Sequence, residues 1–381
     1  MKRTRPHDKS LSREAEKLVR LAQDLAASGS RVEDEFWERS LRTMIEKLLA
    51  AGNDDALFAA LDHAFNLDRM AYDELADAVE ARSESPADNA LLFAVPVLAW
   101  SRFAVPAGSL KDEVVLNLRV QLSVHVFAAG VELSLADCLL SPDQLPRGFS
   151  ETRKLAVQLL RALDKAQTLS MSSTQLPPTA PFLSDARYLV GLARAHPGQP
   201  LFHWQEQEVS RESVLKTWQT QGGEAMRPAL PACALQLLLP NAYFAAAREA
   251  DRQLRAFSLG AAVDFLAANF SVAPAQLRVV IAPYGDRELE EYRVSFGLMA
   301  KTGLVHGIVW PLLDTEDVEG IPDDIARQLQ ALGVKDITVL EGHLPLEYCE
   351  DCGAPLFPTP SGDSVHTEEA EESGQAPQHL H

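Results

Sequence analysis

The chain has 381 residues, of which 46% are apolar, 7% aromatic and 23% charged, a globular composition that excludes a fibrous, collagen-like or wholly disordered protein. Lys and Arg number 35 against 54 Asp and Glu, and the net charge of −19 repels phosphate backbones over most of the surface, so nucleic acid is a disfavoured partner. The length allows two or three domains with a sizeable core.

Residues 1–9 form a basic arm that reads as flexible, because it lacks apolar periodicity. No apolar stretch follows it, so no secretory signal is expected. The longest near-apolar runs, 90–100 and 228–239, fall short of the roughly 20 residues a membrane helix needs. Four cysteines, two of them (Cys138 and Cys233) isolated in apolar surroundings, read as reduced thiols. The expectation is a cytoplasmic protein without a membrane partner.

Residues 10–86 read as a helical module. Leu11, Ala15, Leu18, Ala22 and Leu25 recur at helical spacing, and Ser30 with Glu33 makes a capping box before a second apolar stripe that ends at Gly52. Asn53 can cap a third helix bearing Leu57 and Leu61, and Tyr72, Leu75 and Val79 mark a fourth.

Past Pro86 the pattern turns to short apolar runs with turn signals, the mark of mixed α+β structure. Residues 187–195 align with 293–301 at an offset of 106, matching Arg187 with Arg293 and Gly191 with Gly297, and Trp204 with Trp310 keeps that offset. Each stretch reads as a hairpin. Strands stopped by Pro96 and Pro240, then helices, then strands closed by Pro142 and Pro283 bracket the two stretches in the same order. A tandem duplication of a strand-helix-strand-hairpin-helix unit is therefore expected, with mainly antiparallel sheet and helices on one face. The first copy spans 87–225 and carries an inserted helix near 150–169; the second spans 226–346. A cleft between the copies is the expected ligand site, with Arg187 and Arg293 as candidate anion-binding residues, although strand arginines more commonly serve in salt bridges.

Beyond Lys335 there are ten acids and no Lys or Arg, and residues 361–381 read as an acidic disordered tail. Before it, in residues 347–360, Cys349 and Cys352 stand two residues apart and are followed by Gly353, the spacing of a knuckle that aims two thiolates at one metal. Tetrahedral zinc needs further ligands. His343 is the first candidate, with His366 or the same pair from a second subunit of a homo-oligomer completing the shell. A redox pair has the same spacing, but Glu350 and Asp351 oppose a lowered thiol pKa.

No glycine-rich phosphate loop, Gly-x-Ser-x-Gly elbow or His-Glu-x-x-His helix is present. The opening Arg-Thr-Arg-Pro, the stretch 27–31 and above all 349–358 (Cys-Glu-Asp-Cys-Gly-Ala-Pro-Leu-Phe-Pro) resemble a family of uncharacterised, mainly betaproteobacterial proteins catalogued as a domain of unknown function. The resemblance implies a bacterial cytoplasmic protein and carries no functional residues with it. The expected function is that of a non-catalytic cytosolic binding or regulatory protein with a protein or small-molecule partner. The alternative is an enzyme using the inter-repeat cleft.

Overall fold

The computed structural model describes residues 11–102, 104–171, 176–179, 183–206, 209–300, 303–313, 316 and 318–367. The expected flexible arm, 1–9, lies outside them, as does the tail beyond residue 367. The fold is α+β.

Four helices open it: α1 (Arg13–Ala26), α2 (Arg31–Ala51), α3 (Asp54–Leu67) and α4 (Arg69–Glu84). Each starts where a short polar side chain can accept an orphaned amide: Ser12, Ser30, Asn53 and Asp68 all do so. Gly52 ends α2 with φ 67°, the left-handed conformation that glycine adopts freely. Leu18, Leu41, Ile45, Leu57 and Leu75 form the dry centre of this module.

The first sheet follows from β1 (Ala90–Trp100), β2 (Gly108–Ser109), α5 (Asp112–His125), β3 (Glu132–Leu140), α6 (Phe149–Asp164), β4 (Ser184–Arg194), α7 (Arg211–Met226), β5 (Ala234–Leu237) and β6 (Asn241–Ala242). Its order is β2-β3-β4-β1-β5, with β6 also beside β1. Helices cover both faces, not one. Phe93, Val97, Leu135 and Leu189 pack under α5 and α7, whereas Leu92, Leu98, Leu140 and Val190 pack under α6 and α8 (Tyr243–Phe270). The unbroken apolar run of β1 is the cause, since every residue of a strand covered on both sides must be apolar. Pro96 does not stop this strand. Its carbonyl accepts the Leu238 amide at 2.9 Å, on the side where the ladder is interrupted between β5 and β6, so the missing N–H costs no ladder bond.

The second sheet is built from β7 (Leu277–Tyr284), β8 (Glu291–Leu298), β9 (Leu304–Pro311), α9 (Ile321–Ala331) and β10 (Asp336–Val339), in the order β10-β7-β8-β9. Helix α8 joins the two sheets. Its first half packs Ala246 and Ala250 on the first sheet, and its second half packs Leu259, Val263 and Leu266 on the second. With 28 residues it extends about 42 Å. Among the described residues no helix is long and apolar enough to cross a membrane.

The two aligned stretches share a register in one strand pair and differ beyond it. Leu140 pairs with Tyr188 in the first sheet and Ile281 with Val294 in the second, the register expected from the two sequence offsets. The expected hairpin exists only in the second sheet, as β8 and β9. After β4 the chain forms a 3-10 turn, His203–Gln205, in which the Gln205 side chain accepts the amides of Leu201 and Phe202. Strand β4 pairs instead with β1. Strand β5, assigned by sequence to the second copy, belongs to the first sheet.

Helices α8 and α9 cover one face of the second sheet, the one bearing Val279, Val294, Phe296 and Ile308. The other face, bearing Tyr284, Arg293, Ser295 and Gly307, is covered by the chain's own end, including β11 (Phe357–Pro358) and β12 (Ser364–Val365). Residues 361–367, expected to be disordered, are therefore ordered here as part of that cover.

Candidate metal centre

Residues 347–356 close on themselves. The Cys349 amide donates to the Ala354 carbonyl at 2.7 Å, Gly353 donates back to Cys349 at 2.9 Å, and Leu356 donates to Glu347 at 3.1 Å. Gly353 makes this turn with φ 74°, a conformation closed to most side chains. The amides of Cys352 and Asp351 point at the Cys349 sulfur and hold that thiol below its ordinary pKa. The amide of Ala354 donates to Cys352.

A second turn brings in the third ligand. Thr359 and Asp363 exchange backbone and side-chain hydrogen bonds, Gly362 takes φ 90°, and the chain reverses so that β12 pairs with β11. The residue after β12 is His366, and its Nε2 lies 3.3 Å from the Cys352 sulfur. One ligand atom from each of Cys349, Cys352 and His366 lies within 4.8 Å of the others. The Nδ1 of His366 is 2.7 Å from the Thr367 carbonyl. A carbonyl only accepts, so Nδ1 holds the ring proton and Nε2 presents its lone pair, as metal-ligating histidines require.

These residues fit zinc by donor chemistry and by spacing. Two thiolates with an imidazole form a recurring zinc donor set, and bond lengths of about 2.3 Å to sulfur and 2.0–2.1 Å to nitrogen place sulfur and nitrogen about 3.6 Å apart on a tetrahedron. The observed 3.3 Å needs only a slight opening.

The structure brings together three of the four metal-ligand candidates named from sequence. His343 is not among them: it is exposed and lies against Gly285 just past β7, with its Nε2 2.9 Å from where a Cβ on that glycine would stand. The order of preference between the two histidines is thus reversed.

Arg187 and Arg293 do not face a cleft. Both side chains are fully buried. Arg187 pairs with Asp185 and donates to the carbonyls of Val105, Pro106 and Ala186, fixing the loop after β1. Burial pushes the Asp185 carboxyl up, and Arg187 pulls it back only in part. Arg293 pairs with Glu291 at 2.7 Å and donates through Nη1 to Glu347 at 2.7 Å and Leu356 at 2.6 Å, the two ends of the cysteine loop. Its guanidinium also stands 4.3 Å from the ring centre of Tyr284 and 5.1 Å from that of Tyr348. A groove of about 560 Å³ lies elsewhere, between α2 and α6, lined by Leu49, Val157, Arg153 and Arg161.

Sequence reasoning missed what docks the cysteine loop on the sheet. The Ser295 hydroxyl donates to the Pro358 carbonyl at 2.6 Å, Tyr284 shares a hydrogen bond of 3.0 Å with Ser364, and Gly307 leaves room for the Phe357 ring. The signal available was the repeated acid-x-Arg at 185–187 and 291–293, which marks a buried, self-paired arginine.

The chain belongs to the family described as Protein of unknown function (DUF2863), whose model matches residues 3–380. Neither the search of curated proteins nor that of solved structures returned a match.

Proposed function

We propose that this is a non-catalytic binding or regulatory protein whose end is fastened by a structural zinc ion held by Cys349, Cys352 and His366. The observation that carries the reading is the triad itself: three ligand atoms within 4.8 Å, with the other ring nitrogen of His366 committed to the Thr367 carbonyl. When bound, the ion would join the cysteine loop to β12 and so close the cover over the second sheet. The two residue pairs between β11 and β12 are too few to hold that closure alone. A structural site is closed by a fourth protein ligand, which here falls to a group outside the described residues or to a second subunit.

A binding role, not a catalytic one, suits a site on an outer loop that serves to anchor structure. The two arginines that were candidates for an anion clamp are consumed by the scaffold, so neither ligand binding nor catalysis in the inter-repeat cleft draws support from them.

Metal analysis of the protein purified without chelators tests the proposal. About one zinc per chain is expected, falling severalfold in Cys349→Ser and in His366→Ala and unchanged in His343→Ala. Metal content that ignores the first two substitutions would refute it.

A further inference from the structure

We propose that the zinc site is also a thiol switch: a peroxide oxidises Cys349 and Cys352 to a disulfide, the ion leaves, and the chain end held by His366 comes free. The inference rests on the zinc reading above and adds a regulation to it. It stands on three features of the structure.

The two sulfurs lie within 4.8 Å of each other on a loop closed by its own backbone hydrogen bonds, so they can meet with little backbone movement. Both cysteines are partly exposed, whereas the other two are shielded. Cys138 is fully buried under α6, with its thiol pushed up to about 11 by burial, and Cys233 is buried beside β5. An oxidant in solution therefore meets one pair of thiols and not the others.

The third feature is the division of labour in the cover. The cysteine loop is anchored to the sheet independently of any metal, through Arg293 on Glu347 and Leu356 and through Ser295 on Pro358. Beyond residue 358 the chain is held by the short β11–β12 pairing, the Tyr284–Ser364 hydrogen bond and His366. Loss of the ion thus loosens residues 359–367 and leaves the loop docked. The site separates a fixed half from a releasable half.

The chemistry balances. Two zinc-bound thiolates give up two electrons to form one S–S bond; the peroxide O–O bond breaks, taking those electrons and two protons from solvent to yield two waters when the oxidant is hydrogen peroxide. The disulfide sulfurs have lost the charge that held the metal, so Zn²⁺ leaves as a hydrated ion and His366 is left as a free imidazole.

The test uses the full-length, zinc-loaded protein, with metal counted before hydrogen peroxide is added. Released zinc is then followed with a chromogenic chelator, and each cysteine is assigned by peptide mass mapping. Expected are release of about one zinc per chain, a Cys349–Cys352 disulfide with Cys138 and Cys233 still reduced, faster amide exchange confined to 359–367, and recovery with dithiothreitol and zinc. His366→Ala, which keeps both thiols, should form the same disulfide with little or no zinc signal. Zinc present at the start but retained under peroxide would overturn the switch and leave the zinc reading intact, as would release without that disulfide. Protein devoid of zinc from the outset would overturn both.

Discussion

Arg187 and Arg293 occupy the same place in two different sheets. Each is a fully buried arginine on a central strand, paired with the acid two residues before it, and each donates to carbonyls of a loop that crosses the sheet. What the loops carry differs. In the first sheet the loop links β1 to β2, and in the second it bears the two cysteines.

This equivalence predicts a contrast. Arg187→Met strands the Asp185 carboxylate in a dry site and should cost about 3–5 kcal/mol of stability in urea unfolding, with zinc content unchanged. Arg293→Met should also destabilise, but in addition it frees Glu347 and Leu356 and should weaken zinc binding severalfold in chelator competition. Equal zinc affinity in the two variants would refute the clamp assigned to Arg293.

A second contrast concerns glycines. A Cβ at Gly307 would stand 2.5 Å from the Phe357 ring, so Gly307→Ala should push β11 off the sheet, raising amide exchange across 357–367 while the helical module keeps its protection. Gly260 in α8 has nothing within 4 Å of that position, and Gly260→Ala should stabilise by about 0.5–1 kcal/mol through helix propensity. Thermal unfolding and hydrogen exchange separate the two. Protection of 357–367 that survives Gly307→Ala would show that Phe357 is not what seats the cover.

A third prediction follows from Glu84, which ends α4 and accepts the Phe244 amide at the start of α8, a helix without a side-chain cap of its own. Burial raises its carboxyl from 4.5 to about 7, outweighing that hydrogen bond and the nearby Arg248. A raised folded-state value means that the neutral form favours folding. The stabilisation is therefore complete below pH 4.5 and is lost as pH rises to about 7, a change on the order of 3 kcal/mol. Glu84→Gln should remove this slope and be more stable than the parent at pH 8. Urea midpoints between pH 5 and 8 that rise with pH in the parent, and not in the variant, would show that the charged form is the favoured one.

Much of this fold is written locally. Ser12, Ser30, Asn53 and Asp68 announce helix starts by residue type, and the apolar run from Ala90 announces a strand, although its length past Pro96 and its cover on both faces were not read from it. The cysteine pair and its glycine were equally legible, because a two-residue gap followed by left-handed glycine is a local device. The third candidate ligand was not. His343 is nearer in sequence, but the choice of His366 depends on the turn at Thr359–Asp363 and on the β11–β12 register, which nothing in the spacing records. The missing hairpin in the first sheet has a similar origin, since both edges of β4 are taken by β1 and β3, which lie far from it in the chain. Buried arginines mislead for another reason: sequence gives their charge and not the carbonyls that consume it.

The most direct measurement is zinc K-edge X-ray absorption on the purified, full-length protein. Expected are two sulfur scatterers at about 2.3 Å and a nitrogen at 2.0–2.1 Å with the outer-shell signature of one imidazole, one sulfur fewer in Cys349→Ser, and no imidazole in His366→Ala. A first shell made only of oxygen and nitrogen, or one that keeps its imidazole in His366→Ala and loses it in His343→Ala, would contradict the assignment.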